Sequence, residues 1–366
     1  MLVKDIIETI EAKAPPVYQE GYDNCGLQVG DPGAEVKGVL ISLDVTEAVL
    51  DEAIQRGCNM IVSHHPLIFY GLKKITGRNY VERIVQKAIK NDIHIFAAHT
   101  SLDNMHTGVN AKIAEKLGLK DTSILSAKTN TLSKLYTYAP ITVAEKVREA
   151  LFAAGAGHIS KYKECSFNTN GTGTFRPMEG TNPTIGTAGG ERQTEAEVKI
   201  EVIVEKHLEA RVMRALFESH IYEEVAYELI PLPNPNQHIG AGMVGSLPVP
   251  MSEPDFLAFL QKQMKTDCIR HTALFGKNIN RVAICGGSGS FLLQDAIREK
   301  ADIFITGDFK YHQFFDAEGK IIIADIGHYE SEQFTSEIFE AILKEKFPTF
   351  AILLSSLNTN PVKYFC

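Results

Sequence analysis

The sequence has no run of apolar residues approaching the roughly 18 needed to cross a bilayer as a helix, which argues against a membrane span. Cysteine is sparse and scattered, at positions 25, 58, 165, 268, 285 and 366, with no C-x-x-C pair. A disulfide scaffold is thereby excluded, and reduced thiols in a cytoplasmic chain are expected. Positive charge is also in deficit. Lys and Arg total 37 against 45 Asp plus Glu, for a net charge of −8. That balance disfavours whole-molecule attraction to nucleic acid or to an anionic membrane, leaving only a local basic patch. The opening residues MLVKDIIETIEAKAPP lack the uninterrupted apolar stretch of a signal peptide. Val3, Ile6, Ile7 and Ile10 fall instead at helical spacing, and Pro15-Pro16 ends that helix.

With 44% hydrophobic and 22% charged residues, the 366-residue chain has ordinary globular composition. At about 150 residues per domain, two or three domains are expected. The first third alternates short branched-apolar runs with amphipathic segments. KGVLISL (37–43), NMIVS (59–63) and IHIFAA (93–98) read as buried strands. Asp44 with Glu47 resembles a capping box opening the helix after the first of them. His94, inside a strand, reads as a packed histidine. The last third repeats the pattern with RVAIC (281–285), ADIFIT (301–306) and KIIIA (320–324), a long helix from about Tyr329 to Lys346, and a final strand at 350–354. Such β-α alternation predicts an α/β fold of mostly parallel sheets flanked by helices.

The middle reads differently. Strand, helix, a Gly/Asn/Thr-rich stretch (167–190), an alternating strand VKIEVIVE, a helix and a strand follow one another. Two β-α-β halves of this kind predict an α+β ferredoxin-like module. The polar stretch is expected to be loop or partly disordered. The predicted organisation is a discontinuous α/β domain, residues 1–127 and 240–366, with residues 128–239 inserted.

Three motifs stand where predicted strands end, the edge at which open α/β sheets bind ligands. Ser63-His64-His65-Pro66 follows one strand, and the turn before Pro66 can bring both imidazoles to one side. His99-Thr100-Ser101-Leu102-Asp103 follows the next. Gly327-His328-Tyr329-Glu330-Ser331-Glu332 follows the third, with His328 and Glu332 spaced i, i+4 on one helix face. Alone, the last pair reads sooner as a capping histidine and a solvated glutamate. Together the motifs collect His64, His65, His99, Asp103, His328 and Glu332 at one edge. Imidazole and carboxylate without thiolate suit Zn, Mn, Fe, Co or Ni. So many ligands exceed one open tetrahedral centre, and two divalent ions with a bridging carboxylate fit better.

Gly286-Gly287-Ser288-Gly289 joins a strand to a helix. It is either an amide cradle for an anion or a tight turn passing the metal edge. Asp308 and His312 either line the same pocket or, for Asp308, cap a helix. His106, near Asp103, is an outside candidate, and the remaining histidines read as surface or structural.

Five ordered motifs (63–66, 99–103, 286–289, 306–308 and 327–332), with Asp23-Asn24-Cys25-Gly26-Leu27-Gln28-Val29-Gly30, resemble the NIF-three-like family, also labelled GTP cyclohydrolase I type 2 homologues. The resemblance implies a dinuclear site with His65 and Asp103 on one ion, His64 and His328 on the other, and Glu332 bridging. It also implies a toroidal hexamer, and a PII-like or CutA-like inserted domain as in longer bacterial members. The expected activity is metal-dependent hydrolysis of a nucleotide or phosphoester, with His99, Asp308 and His312 as candidate catalytic residues. The alternative is a metal-binding regulatory or assembly protein whose insert senses a small molecule. Since every candidate ligand is His, Asp or Glu, no thiolate nucleophile is expected beside the metals.

Overall fold

The computed structural model describes residues 1–365, so the expectation for Cys366 lies outside the described residues. The chain divides into two compact units: residues 1–127 with those from 237 onward, and residues 128–236.

The first unit holds two sheets flanked by helices. In the five-stranded sheet the order is Gly26–Val29, His94–Ala97, Met60–Ser63, Val39–Ser42 and Ile352–Leu354, and only the Gly26–Val29 pairing is antiparallel. The three interior strands are short branched-apolar runs buried on both faces, as a sheet covered by helices on each side demands. Their side chains alternate. Ile41, Val62 and Phe96 face one core, whereas Leu40, Ile61 and Ile95 face Val49 and Ile84 of the helices Glu47–Gln55 and Tyr80–Lys90. Burial of each such side chain contributes about 1.5–3 kcal/mol. Register pairs Ser42 with Ser63 and Ser63 with Ala97, so the parallel strands end level, and Leu43, His64 and Ala98 begin one edge.

In the six-stranded sheet the order is Arg270–His271, Ile322–Asp325, Ile303–Gly307, Asn278–Ser288, Asn236–Ser252 and Lys120–Lys128. Its middle is parallel, but Arg270–His271 and Asn236–Ser252 join antiparallel. This sheet is therefore mixed rather than mostly parallel. Val282, Ile284, Ile303 and Ile305 share the core of Ile41 and Val62, together with Phe339 and Leu343 of the helix Thr335–Lys346.

The second unit runs strand Leu132–Pro140, helix Ala144–Ala153, strands Ser166–Phe175 and Gln193–Glu205, helix Glu209–Ser219 and strand Tyr227–Leu232. Numbered 1 to 4 in chain order, its strands lie 2-3-1-4, all antiparallel, with two helices on one face, a β-α-β-β-α-β arrangement. Val198, Ile200, Val202 and Val204 alternate into a separate core with Val147, Leu151, Val212 and Leu216.

Local expectations need four corrections. Residues 166–175 are not loop but an edge strand, paired along its length to Gln193–Glu205. Its outer residues are exposed, so backbone hydrogen bonds hold it without an apolar face. Thr46, not Asp44, caps the helix Glu47–Gln55, accepting the Val49 N–H at 3.2 Å. The helix expected from Tyr329 to Lys346 is two, His328–Glu332 and Thr335–Lys346, broken at Gln333-Phe334. The glycine-rich run 286–288 completes the strand Asn278–Ser288 rather than forming a loop.

One buried acid secures the end of the strand Ile352–Leu354. Glu52 accepts hydrogen bonds from Ser356 N–H and Oγ at 2.9 Å each, from Ser355 Oγ, and from Arg56 at 2.8 Å. Burial alone would raise its carboxyl, but these donors hold it down to about 2. A depressed folded-state value stabilises above the unfolded value, near 4.3, and that stability is lost as pH falls through the folded one. Glu52→Gln should therefore lower the melting temperature at pH 7, with the deficit shrinking from about pH 4.5 toward pH 2. A deficit that is constant across that range in thermal melts would refute this account of the contact.

Candidate metal centre

The candidate centre is assembled at the level edge of the parallel strands. Beyond Ser63 the N–H groups of His64 and His65 both donate to the Leu43 carbonyl, at 3.1 and 3.0 Å. Consecutive side chains, which a strand would send to opposite faces, are thereby turned together, with ring centroids 4.9 Å apart. His99, just beyond the strand His94–Ala97, brings its ring to 5.2 Å from that of His64 and 5.3 Å from that of His65. His328 opens its helix after Gly327, whose φ of +95° only glycine adopts readily. One turn on, Glu332 Oε2 lies 3.1 Å from His328 Nε2.

Two groups of ligand atoms share Glu332. In one, His64 Nε2 stands 3.5 Å from Asp103 Oδ1 and 3.8 Å from Glu332 Oε1. In the other, His65 Nε2 stands 3.0 Å from Glu332 Oε2 and 3.3 Å from His328 Nε2. The geometry thus exchanges the two histidines relative to the implied pairing: His64 groups with Asp103, and His65 with His328. His64, His65 and His99 make a third group, so His99, expected as a catalytic candidate, stands among the groups able to hold an ion.

Three of these atoms are orphans. His64 Nε2, Asp103 Oδ1 and Glu332 Oε2 are buried and make no aligned hydrogen bond, despite their close approaches. Unsatisfied N and O lone pairs converging in a buried space fit a cation.

The opposite ring nitrogens are all anchored. Asp44 holds His65 Nδ1 at 2.7 Å, Asp308 holds His328 Nδ1 at 2.7 Å, Asp23 holds His99 Nδ1 at 2.9 Å, and the Ala98 carbonyl holds His64 Nδ1 at 3.1 Å. Each acceptor takes up Nδ1–H, so Nε2 is the nitrogen turned toward the cluster and the one that would bind an ion as a neutral ring. Asp23 and Asp44 were not singled out from sequence as ring holders. Their signal was present only in Asp23-Asn24-Cys25-Gly26 and in Asp44 beyond a strand end. Asp308 takes this orienting place rather than a helix cap. His312 is exposed, packed with Tyr311 and Phe315, and does not line the cavity around His65 and His328. His106 stacks on His238 and joins none of the groups.

Electrostatics follow from crowding buried acids with imidazoles. Burial would raise the Glu332 carboxyl, but the charge of His328 and the close approach of the His328, His64 and His65 ring nitrogens hold it well below the usual range. Asp103 goes the other way, raised well above the ordinary value by burial and by Glu332. Burial pushes His64 down to about 4. His65 and His328 are also desolvated, yet Asp44, Asp308 and Glu332 raise them to about 10 and about 11. A thiol does stand nearby, though not as a thiolate. Cys25 Sγ accepts the His99 N–H at 3.3 Å, and burial pushes it up to about 11, so it stays protonated at neutral pH.

The first two glycines of the run serve close approach, and their amides are already engaged. Gly286 N–H donates to Asn110 Oδ1 at 3.0 Å and Gly287 N–H to Ser331 Oγ at 2.8 Å, so neither amide is offered to a phosphate. A Cβ on Gly287 would lie 2.3 Å from Glu332 Oε1. The groups open on a cavity of about 800 Å³ lined by His65, His99 and His328 with Phe69, Arg270 and Tyr329.

The chain that carries this edge-of-sheet cluster on two sheets is a member of a known α/β family. The model described as Duf34/NIF3 (NGG1p interacting factor 3) matches residues 1–361, and the chain belongs to that family. It is 40% identical over 365 residues to a Halalkalibacterium halodurans protein called GTP cyclohydrolase 1 type 2 homolog, covering 98% of each chain. The Bacillus subtilis protein of the same name is 36% identical over 367 residues, with 99% of this chain and 98% of that one covered. Among solved structures, a Bacillus cereus protein related to NIF3 is similar with a TM-score of 0.87 at 37% identity, covering 100% of this chain and 99% of that one. No helix among the described residues is long and apolar enough to cross a membrane.

If the acids behind the rings set the ligand atoms, Asp44→Asn should weaken metal binding by about 10–100-fold while leaving the fold intact. Competition with a chelating dye measures this, and wild-type affinity in the variant would show that Asp44 does not orient His65.

Proposed function

We propose that the chain binds two divalent metal ions and uses them to hydrolyse a nucleotide or a related phosphoester. The observation that carries this reading is the pair of ligand groups meeting on Glu332, with three buried orphan atoms between them. His64, Asp103 and Glu332 would hold one ion, and His65, His328 and Glu332 the other, with His99 beside both groups. Their N and O donors suit Zn, Mn, Fe, Co or Ni. Such a pair supplies Lewis acidity toward a phosphoryl oxygen and activates water at neutral pH. Asp23, Asp44 and Asp308 keep the rings in the ligand tautomer. Arg270, in the cavity wall, makes an ion pair with Asp325 and keeps further donors for an anionic group. The names of the curated relatives support a nucleotide as the substrate class, although they describe those proteins. Residues 128–239 are proposed to be an inserted PII-like domain, and six copies are proposed to assemble.

Metal analysis after reconstitution should find about two ions per chain. Glu332→Gln should weaken both, whereas His64→Ala or His65→Ala should mainly weaken one. Hydrolysis of bis-p-nitrophenyl phosphate and of nucleotides should be lost on chelation, return with Mn or Zn, and vanish in Asp103→Ala. One ion or none would reject the dinuclear reading. Two ions with no turnover across a broad screen would favour the regulatory alternative, in which the metal pair is structural. A chain joining residue 127 to 240 by a short linker should keep its metal, and its loss would reject the proposed insert.

A further inference from the structure

Residues 128–236 carry a cavity of their own, about 700 Å³, lined by the strands Ser166–Phe175 and Gln193–Glu205 and by segments 176–185 and 222–226. That volume lies within the span of small-molecule sites, about 300–1,000 Å³. Its lining is largely apolar and includes Tyr138, Phe175, Met178, Ile185 and Tyr222, with the Phe175 and Tyr222 rings 5.8 Å apart. The covering segment is fixed in place. Thr184 Oγ1 donates to the Ile221 carbonyl and Asn182 N–H to Glu223 Oε2, each at 2.6 Å.

One acid is built into this apolar space. Glu197 is only 8% exposed and accepts the Tyr222 hydroxyl on Oε1 at 2.9 Å. Its other oxygen lies over Gly173, where a Cβ would come within 2.1 Å of Oε2. Glycine at 173 thus makes room for the carboxylate. Among the described residues no cation pairs with Glu197. The two basic residues of the lining are engaged elsewhere: Lys199 with Glu201 at 2.9 Å and the Tyr136 ring at 4.1 Å, and Arg176 with Glu191 at 3.7 Å. Glu223 and Glu224 add further negative charge to the lining.

A buried carboxylate without a cationic partner is costly, and ring faces beside it are what an organic cation needs. We propose that this cavity binds a small organic cation, its ammonium or amidinium group against Glu197 and its apolar body among Phe175, Met178 and Tyr222. Anionic nucleotides are disfavoured by the same carboxylates. The proposal stands whether or not the metal pair hydrolyses anything.

Calorimetric titration of the full chain tests it with three probes of similar size. Benzyltrimethylammonium carries a fixed charge and cannot ligate a metal, benzyl alcohol is neutral, and phenylacetate is anionic. The cation should bind with a Kd below about 1 mM, about tenfold or more tighter than the other two. Glu197→Gln should weaken the cation by about tenfold and leave benzyl alcohol unchanged, and Tyr222→Phe should weaken it less. Thermal melts establish that each variant folds. Should Glu197→Gln not fold, the wild-type ranking and the Tyr222→Phe titration decide. Phenylacetate binding as tightly as the cation, no heat from the cation at millimolar concentration, or an unchanged affinity in Glu197→Gln would each overturn the proposal.

Discussion

Glu332 is the constraint on which the first unit depends. It is a buried carboxylate approached by three imidazoles, with a second buried acid, Asp103, beside the same histidines. Two acids in one water-poor space are tolerable only where positive charge or a proton meets them, and the local structure is arranged to meet them. The turn at His64 and His65, the short helix at His328 and the shift of His65 and His328 toward their protonated forms all answer that demand. Metal ions would answer it more fully, since they also satisfy the three orphan atoms.

The fold contributes two things that ligand types alone do not. Level strand ends place His64 and His99 side by side, because register matches Ser63 to Ala97. Glycine then permits contact that a side chain would forbid. Gly287 lies under Glu332 Oε1, and a Cβ on Gly307 would sit 2.8 Å from the His328 nitrogen. The six-stranded sheet thus approaches the helix His328–Glu332 closely enough to bury Glu332 almost completely.

Much of this was legible from sequence, for a physical reason. Strand-end histidines and the His328/Glu332 spacing are local signals, and short branched-apolar runs report burial on both faces directly. What escaped was non-local or lacked an apolar pattern. Asp23 reaches His99 across 76 positions and Asp44 reaches His65 across 21, so neither spacing betrays the contact. The edge strand Ser166–Phe175 is held by its partner's backbone, and composition alone therefore misreads it. The strand Asn236–Ser252 follows Pro231, Pro233 and Pro235 and carries Pro248 and Pro250, residues that argue against a strand away from an edge. The grouping of His64 with Asp103 depends on which ring turns which way, and the Nδ1 contacts that distinguish the rings, to the Ala98 carbonyl and to Asp44, are remote in sequence.

The two cavities ask for opposite chemistry. One offers imidazole and carboxylate lone pairs beside an arginine, which suits cations first and then the anions they attract. The other offers a lone buried acid among rings, which suits an organic cation directly. Each lies within a unit having its own core, so neither chemistry requires the other to form. The chain passes between the two units twice. The boundaries at 127–128 and 236–237 fall in Lys120–Lys128 and Asn236–Ser252, neighbouring strands of the six-stranded sheet. Asn236–Ser252 pairs in turn with Asn278–Ser288, the strand whose Gly287 lies against Glu332. The close approach of Gly287 to Glu332 is thus held by the register of the six-stranded sheet, within the first unit.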